Sequence, residues 1–236
     1  MDIDYTIFSS LKGEFEAEGL TRVDVAAEAL FAARRGLNYL VKISGAEARS
    51  DILYLAELGV TSIVCPMIES RFAMSKYMDM VPPATFNELG VTIETITAVG
   101  NIDDILRAGT LLTEVTIGRT DLTASYGGDN VESERTINMV KTVARSAKEK
   151  GLEVTMGGSI SKATCQTLQN DAELLSLLDF IETRKAVMPV EKLLVKSGLD
   201  HALDLERTLL ARRTAVSDRV IPAINERLAT LAKRAR

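Results

Sequence analysis

The chain has 236 residues, 33 acidic and 28 basic side chains, a net charge of −5 and 46% hydrophobic content. That size and apolar content suit one large α/β domain with a full core, and the interspersed charges leave no basic face for nucleic acid. With neither a basic-plus-apolar leader nor a run long enough to span a bilayer, a cytoplasmic protein without membrane or nucleic-acid partners is expected.

In chain order, Ile3, Tyr5 and Ile7 alternate with period two and offer a short first strand. Residues 13–18 read as extended, with Glu14, Glu16 and Glu18 on one face. Thr21 and Asp24 form a capping-box pattern that opens an amphipathic helix ending at Arg34, Arg35 and Gly36. Further strands are predicted at 40–44, 62–68, 91–96, 114–118, 152–156 and 180–186. Helices are predicted at 46–58, stopped by Gly59, and at 71–80, broken by Pro82 and Pro83. Others fall near 102–107, 133–150 and 162–168.

Strand then helix, repeated, with Val- and Ile-rich strands, predicts a parallel sheet with helices outside. Eight strands would close a (β/α)8 TIM barrel over residues 1–190, with extra helices at 191–236 packing on the barrel or on a neighbouring subunit. A doubly wound sheet is the alternative, but it would show a glycine-rich first turn where this chain reads EAEGLTR. Cys65 and Cys165, far from any CxxC spacing, read as core thiols. His201 is the only histidine and reads as a surface residue, and Lys233, Arg234 and Arg236 read as a solvated helix end. Leu199, Leu203, Leu205, Leu209 and Leu210 form one apolar stripe, and Val216, Val220, Ile224, Leu228 and Leu231 form another. One closing helix suffices for a barrel, so the second stripe is read as a subunit interface.

Two stretches carry the chemistry: VTIETIT around Glu94 and EVTIGRTDLTASYGG around Asp121. Each delivers a carboxylate where a strand runs into a loop, the end of a barrel that bears the active site. Two such charges repel by about 4 kcal/mol at about 4 Å and an effective dielectric of about 20, so the pair reads as a divalent-metal site. Lys42, Glu182 and Arg184 add charge on strand faces. For Glu14, Glu16 and Glu182 a structural ion network is the reading, and for Lys42 and Arg184 a functional pocket.

These motifs, IET and IGRTDLT with FEAEG, VKISGAEA, VCPMIES, TMGGSIS and FIETRK in order, resemble the HpcH/HpaI aldolase and citrate lyase β-subunit family over residues 12–187. The resemblance implies that Glu94 and Asp121 bind Mg²⁺ or Mn²⁺, water and a chelating 2-oxo acid such as pyruvate or oxaloacetate completing the shell. It implies that Gly118 and the backbone at Leu122 and Thr123 floor the substrate carboxylate, while Arg119 holds either a distal carboxylate or a structural acid. Lys42 stands where the aldolases have an arginine, and FEAEG ends in Glu18 and Gly19 where they have a histidine. Acid–base work then falls to Glu18, Glu47 or Lys42, with Arg184 as a further catalytic group. The implied activity is a metal-dependent carbon–carbon lyase or aldolase working through a metal-stabilised enolate, in a homo-oligomer. The alternative is a family barrel with altered chemistry, an isomerase or transferase, or a non-catalytic scaffold subunit. No basic feature sized for the adenine of CoA is seen.

Overall fold

The computed structural model describes residues 3–82, 84–213 and 220–234. Among them, eight strands close one barrel in chain order. They are β1 (Ser10–Glu14), β2 (Asn38–Lys42), β3 (Ser62–Cys65), β4 (Glu88–Ile93), β5 (Glu114–Gly118), β6 (Glu153–Gly157), β7 (Phe180–Glu182) and β8 (Ala186–Pro189). Between them lie α1 (Phe15–Glu18), α2 (Arg22–Ala33), α3 (Arg49–Leu58), α4 (Arg71–Met80), α5 (Ile96–Gly100) and α6 (Ile102–Ala108). α7 (Arg119–Ser125), α8 (Glu134–Glu149), α9 (Lys162–Asn170) and α10 (Ala172–Leu177) follow, and α11 (Val190–Leu194), α12 (Gly198–Arg212) and α13 (Val220–Arg234) come after β8. The local signals act as read: Thr21 and Asp24 make the capping box of α2, and Gly59 ends α3 in the left-handed region at φ 79°. No helix among the described residues is long and apolar enough to cross a membrane.

The barrel differs from the expected one at its seam. Tyr5–Ile7 is a single 3₁₀ turn capped by Asp4, whose carboxylate accepts from Thr6 N at 3.0 Å, and not the first strand. The run 180–186 is not one strand either. Thr183 N donates to Ala186 O at 2.8 Å and closes a tight hairpin, so β8 returns antiparallel to β7 and also pairs antiparallel with β1. The other neighbouring pairs are parallel. A reversed strand thus fills the gap assigned to Ile3–Ile7, and the first barrel strand is β1.

Strand alternation separates two interiors. Leu11, Val41, Ile63, Val91, Val115, Val154 and Ile181 face outward into the apolar layer beneath the helices. Inside the barrel, Leu40, Val64, Val187 and Phe180 form a small apolar plug, and charged side chains lie beyond it toward the C-terminal strand ends. The C-terminal helices pack on the same chain. All five leucines of the α12 stripe are buried, and on α13 Leu231 is fully buried and Ile224 packs against the core while Leu228 is 38% exposed. Leu231 is therefore packed within the subunit and Ile224 partly so, while Leu228 stays exposed; Val216 and the side chain of Val220 lie outside the described residues. His201 is half-buried on α12 and faces Asp4 N through Nδ1 at 3.4 Å, not open solvent.

One polar network sits in the outer layer. β1 ends at Glu14 and the chain turns into α1, which Gly19 closes at φ 60°, so Glu14, Glu16 and Glu18 do not share a strand face. Glu18 points to the fully buried Lys185, whose Nζ lies 2.7 Å from Glu18 Oε2 and 2.7 Å from Glu28 Oε1. Tyr39 donates to Glu28 Oε2 at 3.0 Å and Arg213 donates to Glu18 Oε2 at 2.6 Å. Removing the shared ammonium leaves buried Glu18 to Arg213 alone and buried Glu28 to the neutral Tyr39 hydroxyl. Lys185→Met should therefore lower stability by about 3–5 kcal/mol, roughly 10 °C in Tm by thermal unfolding. A loss below about 1 kcal/mol would show that the network is not a structural clamp.

Candidate active site

At the C-terminal ends of the strands the barrel opens into a cavity of about 310 Å³. A larger one of about 630 Å³ lies between α2 and α12, outside the barrel and away from Glu94 and Asp121. We place the chemistry in the smaller cavity, where strand ends converge. Glu94 enters it because β4 ends at Ile93 and Thr95 caps α5, accepting from Ala98 N. Asp121 enters from the first turn of α7, directly after β5, and is exposed to the cavity. Gly118 lies between them. A Cβ there would stand 3.0 Å from both Cβ and Oε2 of Glu94, so a side chain would crowd the carboxylate.

Lys42 organises the charges. Its Nζ is 2.9 Å from Glu14 Oε1 and 3.4 Å from Glu94 Oε2. Burial pulls the ammonium down, but Glu14 and Glu94 outweigh it and hold its pKa above the usual lysine value. Glu14 ends below the ordinary range, because Lys12, Lys42 and Arg184 overcome its burial. Glu94 goes the other way: burial raises it, Lys42 and the Met67 N–H at 3.0 Å only partly compensate, and Asp121 raises it further. That N–H belongs to a residue held at φ 55°, an uncommon conformation for methionine. The cavity therefore contains a charged lysine committed chiefly to Glu14 and a buried carboxyl short of positive partners.

The structure brings Lys42, Glu94, Gly118, Asp121 and Arg184 to one cavity, and Lys42 closes β2, not a third strand, because Tyr5–Ile7 is not a strand. Five residues assigned to the site lie elsewhere. Glu18 is turned into the Lys185 and Arg213 network and is no pocket-mouth proton relay. Arg119 is fully buried, its guanidinium bound to Gly157 O, Gly158 O, Thr164 Oγ1 and Glu132 Oε1 at 2.9–3.2 Å, so it is structural and holds no substrate. Leu122 packs in the core and the Thr123 hydroxyl pairs with Thr136 at 3.0 Å; both sit within α7 and neither lines the cavity. Glu47 lies 3.7 Å from Lys76 and is largely exposed, likewise outside it.

Other groups were not singled out in the sequence. Lys12 lies at the cavity floor with Nζ 2.5 Å from Glu182 Oε1; its parity with Glu14 on β1 was the available signal. Arg227 reaches the mouth from α13, which no strand-end argument could place, and so does Arg234, which was read as part of a solvated helix end and is instead half-buried with its guanidinium on the Ile160 carbonyl oxygen. Beneath the floor, Glu114 Oε1 is buried without a hydrogen-bond partner among the described residues, and the side chain lies against Gly90, where a Cβ would be 2.4 Å from that oxygen. Burial, with Glu182, Glu88 and Glu153, pushes the Glu114 carboxyl up to about 8.

No family model matches the sequence. No curated protein matches it. Solved structures do match the fold. A HpcH/HpaI aldolase/citrate lyase family protein from Burkholderia cenocepacia aligns with TM-score 0.65 and 16% identity over 88% of this chain and 85% of that one. The HpcH/HpaI aldolase from Desulfitobacterium hafniense gives 0.61 and 16% over 87% and 85%. Citrate synthase SbnG gives 0.60 and 14% over 69% and 73%. The chain thus has the barrel fold found in HpcH/HpaI aldolase/citrate lyase family proteins.

Two carboxylates and no third acidic, histidine or cysteine ligand among the described residues suit a hard divalent ion that keeps water and substrate in its shell, and not a zinc cage. The raised Glu94 carboxyl beside Asp121 fits such an ion, since added positive charge would lower it.

Glu114 yields a pH test. The folded state keeps its proton up to about pH 8, whereas the unfolded chain releases it near the ordinary 4.5, so this group lowers stability as pH rises. Relative to Glu114→Gln, wild type should lose stability between about pH 5 and about pH 8, by at most about 1.4 kcal/mol per unit, and run parallel above that. Urea unfolding across this range measures the difference; parallel curves throughout would contradict a neutral Glu114.

Proposed function

We propose that the protein is a divalent-cation-dependent carbon–carbon lyase or aldolase acting on a 2-oxo acid of the pyruvate or oxaloacetate type. The observation that carries this reading is the buried Glu94 carboxyl, raised by burial and by Asp121 and incompletely neutralised by Lys42, at the strand ends of a barrel. The fold neighbours support it, with names that span aldolase, citrate lyase, citrate synthase and malate synthase. Those names share the making or breaking of a carbon–carbon bond. Held by Glu94 and Asp121, Mg²⁺ or Mn²⁺ would polarise the keto oxygen and stabilise the negative charge that develops there.

The chain's own groups supply the rest. Lys42 stays an ammonium and is therefore a counter-charge for the substrate carboxylate, not an amine nucleophile. Glu182 carries the proton at the carbon next to the keto group. Its Oε1 is held by Lys12, and its Oε2 is buried with no hydrogen-bond partner among the described residues. Gly157 leaves room for it, since a Cβ there would lie 2.9 Å from Glu182 Cγ.

With Mg²⁺ the protein should exchange the methyl protons of pyruvate with solvent deuterium, or decarboxylate oxaloacetate, as followed by NMR. Glu94→Gln and Asp121→Asn should each remove Mn²⁺ binding in water-proton relaxation and lower either rate by at least about 100-fold. Glu182→Gln should keep Mn²⁺ and slow exchange by roughly 10²–10⁴-fold. Neither exchange nor decarboxylation with Mg²⁺, Mn²⁺ or Co²⁺ would overturn the reading.

A further inference from the structure

Three guanidinium groups meet at the mouth of the cavity, Arg184 from the β7–β8 turn and Arg227 and Arg234 from α13. The two carboxylates within ion-pair reach of Arg184, Glu206 and Glu14, are already engaged. Glu206, fully buried on α12, accepts from Arg227 Nε at 2.5 Å and from Arg227 Nη2 at 3.0 Å. Glu14 is held by Lys42 at 2.9 Å. Arg184 reaches both acids only at 4.0 Å, too far for a hydrogen bond, and its Nε is buried with no partner among the described residues. Arg234 donates Nε and Nη2 to the same atom, the Ile160 carbonyl oxygen, and meets no carboxylate of its own among the described residues.

Three cations with one dedicated acid between them repel one another. Arg234 records that repulsion: burial, and then Arg227 and Arg184 against the pull of Glu206, bring it down to about 10. If these arginines only fastened α13 to the barrel, Arg227 on Glu206 and Arg234 on Ile160 O would suffice and Arg184 would have no reason to turn inward unpaired. Neither fastening needs a third guanidinium facing the cavity. The forked donors of arginine match carboxylate and phosphate oxygens in pairs.

We propose that this mouth is a subsite for a second anionic group of the substrate, carboxylate or phosphate, held by Arg184, Arg227 and Arg234. The proposal rests on the 2-oxo acid reading for the other end of the substrate, which Lys42 and the Glu94–Asp121 pair would receive. It narrows the substrate class: a 2-oxo acid carrying, or joined to, a partner with a distal anion. It also gives α13 a role, since only a chain with this helix in place completes the subsite.

Calorimetry on the full chain tests it with two sets of probes. The first set, inorganic phosphate and malonate, lacks a keto group. The second compares 2-oxobutanoate with 2-oxoglutarate and 3-phosphonopyruvate in the presence of Mg²⁺. In wild type a distal anion should tighten binding by about tenfold or more, and phosphate or malonate alone should bind measurably. Arg227→Gln and Arg234→Gln should each reduce that advantage severalfold, while Arg234→Lys should restore part of it by keeping the charge. A larger advantage for the phosphonate identifies a phosphorylated partner, and a larger one for 2-oxoglutarate a dicarboxylate. Phosphate binding that is lost in the variants, with no binding of 2-oxobutanoate, keeps the subsite and removes the 2-oxo acid reading. Equal affinity for 2-oxobutanoate and both distal anions, unchanged in variants whose thermal unfolding is normal, overturns the subsite.

Discussion

The interior of this barrel is charged, and each charge must find a partner where water is scarce. The ammonium of Lys42, 2.9 Å from Glu14 and 3.4 Å from Glu94, is the interaction on which the rest depends. Because it belongs chiefly to Glu14, Glu94 is only partly neutralised and keeps a raised carboxyl beside Asp121. Because it is flanked by two acids, the lysine stays charged, which removes the amine-nucleophile route open to lysines elsewhere. One side chain thus sets both the incomplete neutralisation of Glu94 and the absence of a neutral amine in the cavity.

The β7–β8 hairpin couples this site to the stability of the barrel. Adjacent residues in the turn point to opposite sides of the wall: Arg184 lines the cavity, and Lys185 is buried outside it between Glu18 and Glu28. The outer ion cluster fixes the turn, and the turn aims the arginine. Gly13 allows the same cluster to form, since a Cβ there would fall 2.1 Å from the Tyr39 hydroxyl oxygen. A buried network that contributes little net stability over apolar packing can still set one geometry, and here that geometry positions a residue of the site.

Much of this was legible in the sequence. Helix starts and stops carried explicit signals at Thr21, Asp24 and Gly59, and the run from Glu114 to Gly118 was found as the strand it is. That Glu94 and Asp121 lie at strand ends facing one cavity was legible because strand-end position follows from local pattern. The misreadings have a common cause. Ile3, Tyr5 and Ile7 alternate like a strand, yet the neighbour that pairs with β1 is decided by a hairpin far down the chain, which lacks the glycine or asparagine that usually marks one. Glu18, Arg119, Leu122 and Thr123 were assigned by proximity to motif residues, but helical turns at Phe15–Glu18 and Arg119–Ser125 rotate them out of the cavity. Arg227 and Arg234 reach the site by tertiary packing of a helix remote in sequence, which no local pattern encodes.

We propose that Glu94 and Asp121 hold a divalent cation on which a 2-oxo acid rests beside Lys42. Anomalous diffraction at the manganese edge, from crystals soaked with Mn²⁺ and oxalate as a planar mimic of the enolate, tests it most directly. The account expects one manganese peak bonded to both carboxylates, with oxalate chelating it from the cavity side and a carboxylate oxygen directed toward Lys42. A manganese ion elsewhere, or oxalate bound at the cavity with no metal at Glu94 and Asp121, would contradict it.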